Sequence, residues 1–281
     1  MRTIFSSKFI MPLLIVTAAI SCTKSVKNST DATSGALTDD ERNLVQSAGF
    51  NENWAERTAD GNYLVEGDIL LTKGQLEDMS GKQPTNNLIV AEEEHYRTYN
   101  VVATPTGTRT ITVRLGSGFP SNYSTALDHA LARYNGYNLK INFQRVSSGG
   151  DIVITGKDLG TSGGGCILGQ SAGFPDASGN PAPGFTLSTS SCATDYLNTV
   201  GKVDEVIAHE MGHCIGFRHT DYKNRSSCGP GPGEKAGTIG AVHIPGTPET
   251  VPGSYNSWMM ACTNGSPKFN ADDRVALRYV Y

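Results

Sequence analysis

The run His209-Glu210-Met211-Gly212-His213 sets two imidazoles four positions apart, with a carboxylate beside the first. On a helix, positions i and i+4 share one face, so both rings can reach a single ion through their nitrogens. Beyond the helix, Gly216 tolerates a backbone conformation that strains other residues, and a sharp turn there swings His219 back as a third ligand. Three histidines around one Zn²⁺ leave a position for water, as a catalytic zinc site needs. Glu210 is then placed as a general base toward that water. A lone helical histidine is usually a polar or capping group. A structural zinc site would rarely hold a glutamate beside its ligands. The combination of His209, Glu210, His213, Gly216 and His219 points to catalysis.

The stretch His209 to His219 matches HExxHxxGxxH and resembles the extended zinc signature of the metzincin peptidases. With its Gly-Phe-Arg-His-Thr-Asp ending at Asp221, it looks like the bacterial dual-action HEIGH metallopeptidases, Met211 standing where that name has Ile. The resemblance covers about 105 to 281. It implies an α/β (α+β), metzincin-like zincin fold with a mixed twisted sheet, an active-site helix and a C-terminal helix. It also implies one catalytic Zn²⁺ on His209, His213 and His219, and hydrolysis of peptide bonds in protein or peptide substrates with Glu210 as general base, then acid. Ser257-Trp258-Met259 resembles the Met-turn, which would put Met259 beneath the imidazoles; Met260 beside it leaves two core methionines as the plain alternative. Some metzincins carry a metal-approaching tyrosine two residues after this methionine. Here that position is Ala261, and Tyr255 is a weak substitute. Asp221 either bonds a ligand histidine, fastens the chain after it, or is an ordinary loop aspartate. Val65-Glu66-Gly67-Asp68-Ile69 resembles the Gly-Asp segment of astacin pro-peptides, whose aspartate occupies the zinc in the zymogen. Asp68 is thus a candidate zymogen ligand, against the plain reading of a strand followed by a turn. Two rivals stand beside the enzyme reading. One is a non-catalytic binding lipoprotein on a protease fold, which would not need Glu210. The other is an inhibitor-like lipoprotein whose N-terminal region permanently fills the cleft.

These residues need a scaffold, and the pattern supplies one. Ile111, Val113 and Leu115 alternate in a strand from Arg109 to Leu115. Tyr123, Leu127, Ala130, Leu131 and Tyr134 recur at helical spacing between Ser121 and Tyr134. Leu139 to Val146 and Asp151 to Thr155 read as further strands, giving a helix packed on a twisted sheet. Residues 160–190 are rich in Gly, Ser and Pro and read either as a surface loop or as a cleft rim with an edge strand near Cys166 to Gly169; Phe185 to Ser188 reads as another strand. The ligand helix starts at Thr199 or Asp204 and ends near Cys214. Asn270 and Asp273 open a last helix carrying Val275, Ala276, Leu277 and Val280. Upstream, a helix from Asp39, strand material from Tyr63 to Leu71 and a short helix from Lys73 to Met79 precede a polar linker over 81–96, with Leu88-Ile89-Val90 as an apolar island.

Arg2 and Lys8, an apolar run from Phe9 to Ile20, and Ala19-Ile20-Ser21-Cys22 form a signal-peptide pattern. The last four residues resemble the lipobox of bacterial lipoproteins, with Cys22 as the lipidated residue; ordinary secretion is the alternative. The expected organisation is a signal peptide over 1–22, a flexible tether over 23–36, a pro-region over 37–100 and a catalytic domain over 101–281. The protein is then exported from a bacterial cell, as a lipid-anchored lipoprotein facing the periplasm or outside, or secreted. Export admits disulfides. The favoured pairs are Cys166 with Cys192 and Cys228 with Cys262, leaving Cys214. A net charge of -4 with no basic run argues against nucleic acid as a partner. Asp- and Gly-containing loops could take calcium, but no EF-hand spacing supports it. Oligomeric state is not legible.

Overall fold

The acidic start at Asp39 has a local cause for its helix. In α1 (Asp39–Ala48) the Thr38 hydroxyl accepts from Glu41 N while the Glu41 carboxylate receives Thr38 N. Gly49, at φ 93°, closes it. The computed structural model describes residues 35–81 and 95–281, apart from 163, 230, 249, 250, 253, 264, 266 and 267. Cys22, the signal and most of the tether, and Leu88-Ile89-Val90 lie outside the described residues. Three short strands follow α1: β1 (Ala55–Arg57), β2 (Tyr63–Val65) and β3 (Ile69–Leu71), an antiparallel meander. Then α2 (Lys73–Ser80) packs against α1, with a capping box at Thr72 and Gln75. Val45, Phe50, Tyr63, Val65, Ile69, Leu71 and Leu76 give this segment a small core of its own.

After β4 (Tyr96–Arg97) comes the main layer: β5 (Arg109–Leu115), α3 (Ser121–Asn135), β6 (Ile141–Arg145) and β7 (Ile152–Lys157). A hairpin of β8 (Thr161–Ser162) and β9 (Gly165–Cys166) leads to β10 (Gly169–Ser171) and β11 (Gly184–Ser188). The chain continues through α4 (Ser191–Tyr196), α5 (Val200–Cys214), β12 (Val242–His243) and α6 (Ala271–Val280). Eight strands join in the order β1-β2-β3-β10-β11-β7-β5-β6. Neighbours among β6, β5, β7 and β11 run parallel, while β10 is antiparallel to β11, so the fold is mixed α/β. Ile111 and Val113 turn inward from β5 and meet Tyr123, Leu127, Ala130 and Tyr134 of α3. Val203, Ile207 and Met211 of α5 join the same core. Thr33–Tyr281 form one compact unit.

Two features go beyond the sequence pattern. The meander β1–β3 extends the main sheet, because Ile69 pairs with Ser171 and Ser171 N donates to Asp68 O at 2.7 Å. Short β4 and β12 pair with each other, and Arg218 N donates to Tyr96 O at 2.8 Å, so residues 96–98 brace the exit of α5. Of the two candidate starts for α5, the hydroxyl of Thr199 provides the cap, accepting from Lys202 N. The expected disulfides form, Cys166 with Cys192 and Cys228 with Cys262, and Cys214 is a buried free thiol. Among the described residues, no helix is long and apolar enough to cross a membrane.

Candidate metal centre

Helix α5 carries His209 and His213 on one face and ends at Cys214, two residues before Gly216. This residue has φ 104°, and a side chain there would come within 3.0 Å of Asn100 O and Thr98 Oγ1. Both conditions require glycine. The reversal returns His219 to the helix. His209, His213, His219 and Asp68 each offer one ligand atom, and these atoms all lie within 4.8 Å of one another. Asp68 Oδ2 is 2.7 Å from His219 Nε2, 3.2 Å from His209 Nε2 and 3.4 Å from His213 Nε2. His209 Nε2 and His213 Nε2 are 3.1 Å apart.

The far nitrogens explain why the near ones converge. His209 Nδ1 donates to Trp258 O at 2.8 Å, and His213 Nδ1 donates to Phe217 O at 2.9 Å. A carbonyl only accepts, so these bonds fix the proton on Nδ1 and leave the Nε2 lone pair free. His219 Nδ1 instead faces Glu234 Oε1 at 2.5 Å. Burial pushes His213 down to about 4, which keeps it neutral. Burial also acts to lower His219, but the charges of Asp68 and Glu234 outweigh it and hold it well above the ordinary histidine range. Burial acts to raise Asp68, yet His219 and His213 hold it well below the usual carboxylate range.

Glu234 is the residue that sequence reasoning missed. It lies in a loop without periodicity, and no signal marked it. Burial opposes its ionisation, but His219, Arg225 and Arg218 draw it down to about 2. Arg225 Nη1 lies 2.5 Å from Glu234 Oε1 and donates to Glu66 O at 2.8 Å. Arg218, fully buried, pairs with the Glu66 carboxylate and donates to Gly240 O at 2.9 Å. Glu66, His219 and Glu234 also stand close enough to suggest a second cation site. The two guanidiniums already neutralise that cluster. Together they grip the turn Glu66-Gly67, at φ 56° and 87°, that delivers Asp68.

Glu210 is buried beside the cluster, and its Oε2 has no hydrogen-bond partner among the described residues. Burial first, and Asp68 second, push its carboxyl well above the ordinary range. Gly169 of β10 makes room for it. Met259 packs under α5 against Gly212, where a side chain would meet Trp258 Nε1 at 3.0 Å and crowd the Met259 sulfur. Met260 lines the cleft instead. Among the described residues Asp221 bonds none of the three histidines: it accepts from Ser227 N at 2.9 Å and Ala261 N at 2.9 Å, tying two loops together. The Tyr255 hydroxyl bonds Asp272, away from the cluster. An open cleft of about 730 Å³ runs past His209 and Glu210, between the N-terminal segment, Gly164 to Gly169 and Ser257 to Thr263.

Three histidines with oriented rings and a buried carboxylate at the edge of a cleft define a metal-dependent hydrolase. The chain belongs to the dual-action HEIGH metallo-peptidase family, whose model matches residues 63–281. It is a metalloendopeptidase acting on proteins or peptides. None of the curated proteins matches it. Two solved structures of myroilysin are similar to it. One is 20% identical over 46% of this chain and 57% of that chain, with a TM-score of 0.32. The other is 18% identical over 71% of this chain and 96% of that chain, with a TM-score of 0.35. Both likenesses are too distant to speak to the site.

Proposed function

We propose that the metal is Zn²⁺, held by His209, His213 and His219, and that the chain is made as a latent zinc endopeptidase with Asp68 as the fourth ligand. The convergence of three Nε2 atoms and one carboxylate oxygen carries this reading. Tetrahedral zinc with bonds of about 2.0–2.1 Å has ligand-to-ligand edges of roughly 3.3 Å. The three separations from Asp68 Oδ2 to the imidazoles, 2.7 to 3.4 Å, and the 3.1 Å between His209 Nε2 and His213 Nε2 are near or below that edge. The donor types, three imidazoles and a carboxylate, suit zinc. A zinc ion there supplies Lewis acidity, polarising a carbonyl and acidifying water.

The chain's own residues do the rest. Glu210 takes the proton of the attacking water and passes it to the leaving amine. Glu234 holds His219 in register, as Trp258 O holds His209. Met259 gives the ligand helix a soft apolar floor. Asp68 stands on the open side of the three histidines, so access for water and substrate requires it to leave. The segment 37–100 then acts as a pro-region to the catalytic part 101–281, a division suited to cleavage in the linker at 81–96. A metzincin-like architecture, export through the signal at 1–22, a flexible tether over 23–36 and lipidation at Cys22 complete the proposal.

Glu210→Gln tests the centre. The variant keeps its zinc and loses casein hydrolysis, and a chelator abolishes hydrolysis by the parent. Full turnover in the glutamine variant, or turnover indifferent to chelation, would defeat the mechanism.

A further inference from the structure

The cleft holds a second carboxylate that hydrolysis does not use. Glu205 lies one helical turn before His209 on the same face of α5, and both line the cleft. It is only 6% exposed. Its Oε1 accepts from the Thr263 hydroxyl, while its Oε2 is buried and has no partner among the described residues. Its neighbour Asp204 faces away and pairs with Arg133; Glu205 makes no ion pair among the described residues.

The wall opposite Glu205 is built to keep its shape. Thr263 follows Cys262, which is tied to Cys228 by a disulfide. Cys262 N donates to Ser227 Oγ at 2.9 Å and Ala261 N to Asp221 at 2.9 Å. The hydroxyls of Tyr196 and Thr263 lie 3.2 Å apart. Val206 and Met260 supply apolar surface beside it. A half-satisfied buried carboxylate costs the fold stability. A cleft wall that sets apolar side chains beside such a group suits a long side chain with a cationic tip.

We propose that Glu205 sets substrate specificity, accepting the charged end of a substrate lysine or arginine next to the scissile bond. Residues at i and i+4 of a helix are about 5–6 Å apart at Cβ, so this subsite adjoins the metal. The proposal rests on the zinc-site reading above. A charge-assisted hydrogen bond to a buried group is worth about 10- to 100-fold in affinity.

The test uses the full chain, zinc-loaded and carrying Asp68→Ala. Two peptide hydroxamates are compared by calorimetry, alike except for lysine or the uncharged norleucine beside the metal-binding group. The lysine compound binds about tenfold or more tightly, and Glu205→Gln brings the ratio to about one. Equal affinities in the Glu205 chain overturn the subsite, as does a ratio that survives Glu205→Gln. If neither compound binds the zinc-loaded chain, the zinc-site reading falls, and the subsite with it.

Discussion

Gly169→Ala is the most exacting probe of the catalytic carboxylate, because it changes one methyl group and touches no histidine. The nearest atoms to a side chain added at Gly169 all belong to Glu210: Cδ and Cγ at 2.9 Å, and Oε1 closer still. Non-bonded heavy atoms are comfortable at about 3.5–4.0 Å, so one partner must move by roughly 1 Å. Strand β10 is poorly placed to yield. Gly169 is paired with Leu187 of β11, and Ser171 at the other end is tied to Asp68 O. Glu210 therefore gives way. A misplacement of about 1 Å costs on the order of 100-fold in rate, or about 2.7 kcal/mol of barrier. The expected outcome is a kcat about 100-fold lower on a fluorogenic peptide, with zinc content unchanged. Gly201→Ala, with nothing within 4 Å on the same helix, is the control and leaves kcat intact. A Gly169→Ala enzyme within about threefold of the parent, or one that loses its zinc, would refute this placement of Glu210.

Glu234→Gln removes the charge that anchors His219 Nδ1. Zinc affinity should fall about 10- to 100-fold in a chelator competition, and an unchanged affinity would show that Glu234 does not support the ligand. Asp68→Ala should raise the peptidase activity of the uncleaved chain by about tenfold or more, the equivalent of 1.4 kcal/mol of blocking contact; equal activity in the two chains would end the latency reading. Burial pushes the Cys214 thiol up to about 12. A raised pKa means the neutral thiol persists as pH rises, with a thiolate fraction of about 10⁻⁴ at pH 8. Iodoacetamide at pH 8 should leave Cys214 unmodified in the native protein and label it after unfolding, as read by peptide mass mapping; native labelling would contradict its burial.

What the sequence determined by itself is local. The pair His209 and His213 follows from helical geometry, and the return of His219 follows from the one residue, Gly216, that permits the turn. The box at Asn270–Asp273 is written three residues apart and closes where it is written, whereas the acidic start at Asp39 marks a helix whose cap at Thr38 the structure supplies. The alternation of Ile111 and Val113 and the face of α3 are periodic, and the core takes them up as the period requires. Asp68 is legible only through the likeness of its Gly-Asp segment to other proteins, since no local spacing links it to the histidines. Only the tertiary structure decided what surrounds the ligands. Glu234, Arg225 and Glu66 lie in turns and loops where a charged residue ordinarily meets water, and nothing in the chain distinguishes a solvated glutamate from a buried one. The extension of the sheet by β1–β3, the grip of two arginines on the turn before Asp68, and the bond from Thr263 to Glu205 all join residues far apart in sequence. Such contacts depend on packing across the whole fold, for which a one-dimensional pattern carries no period.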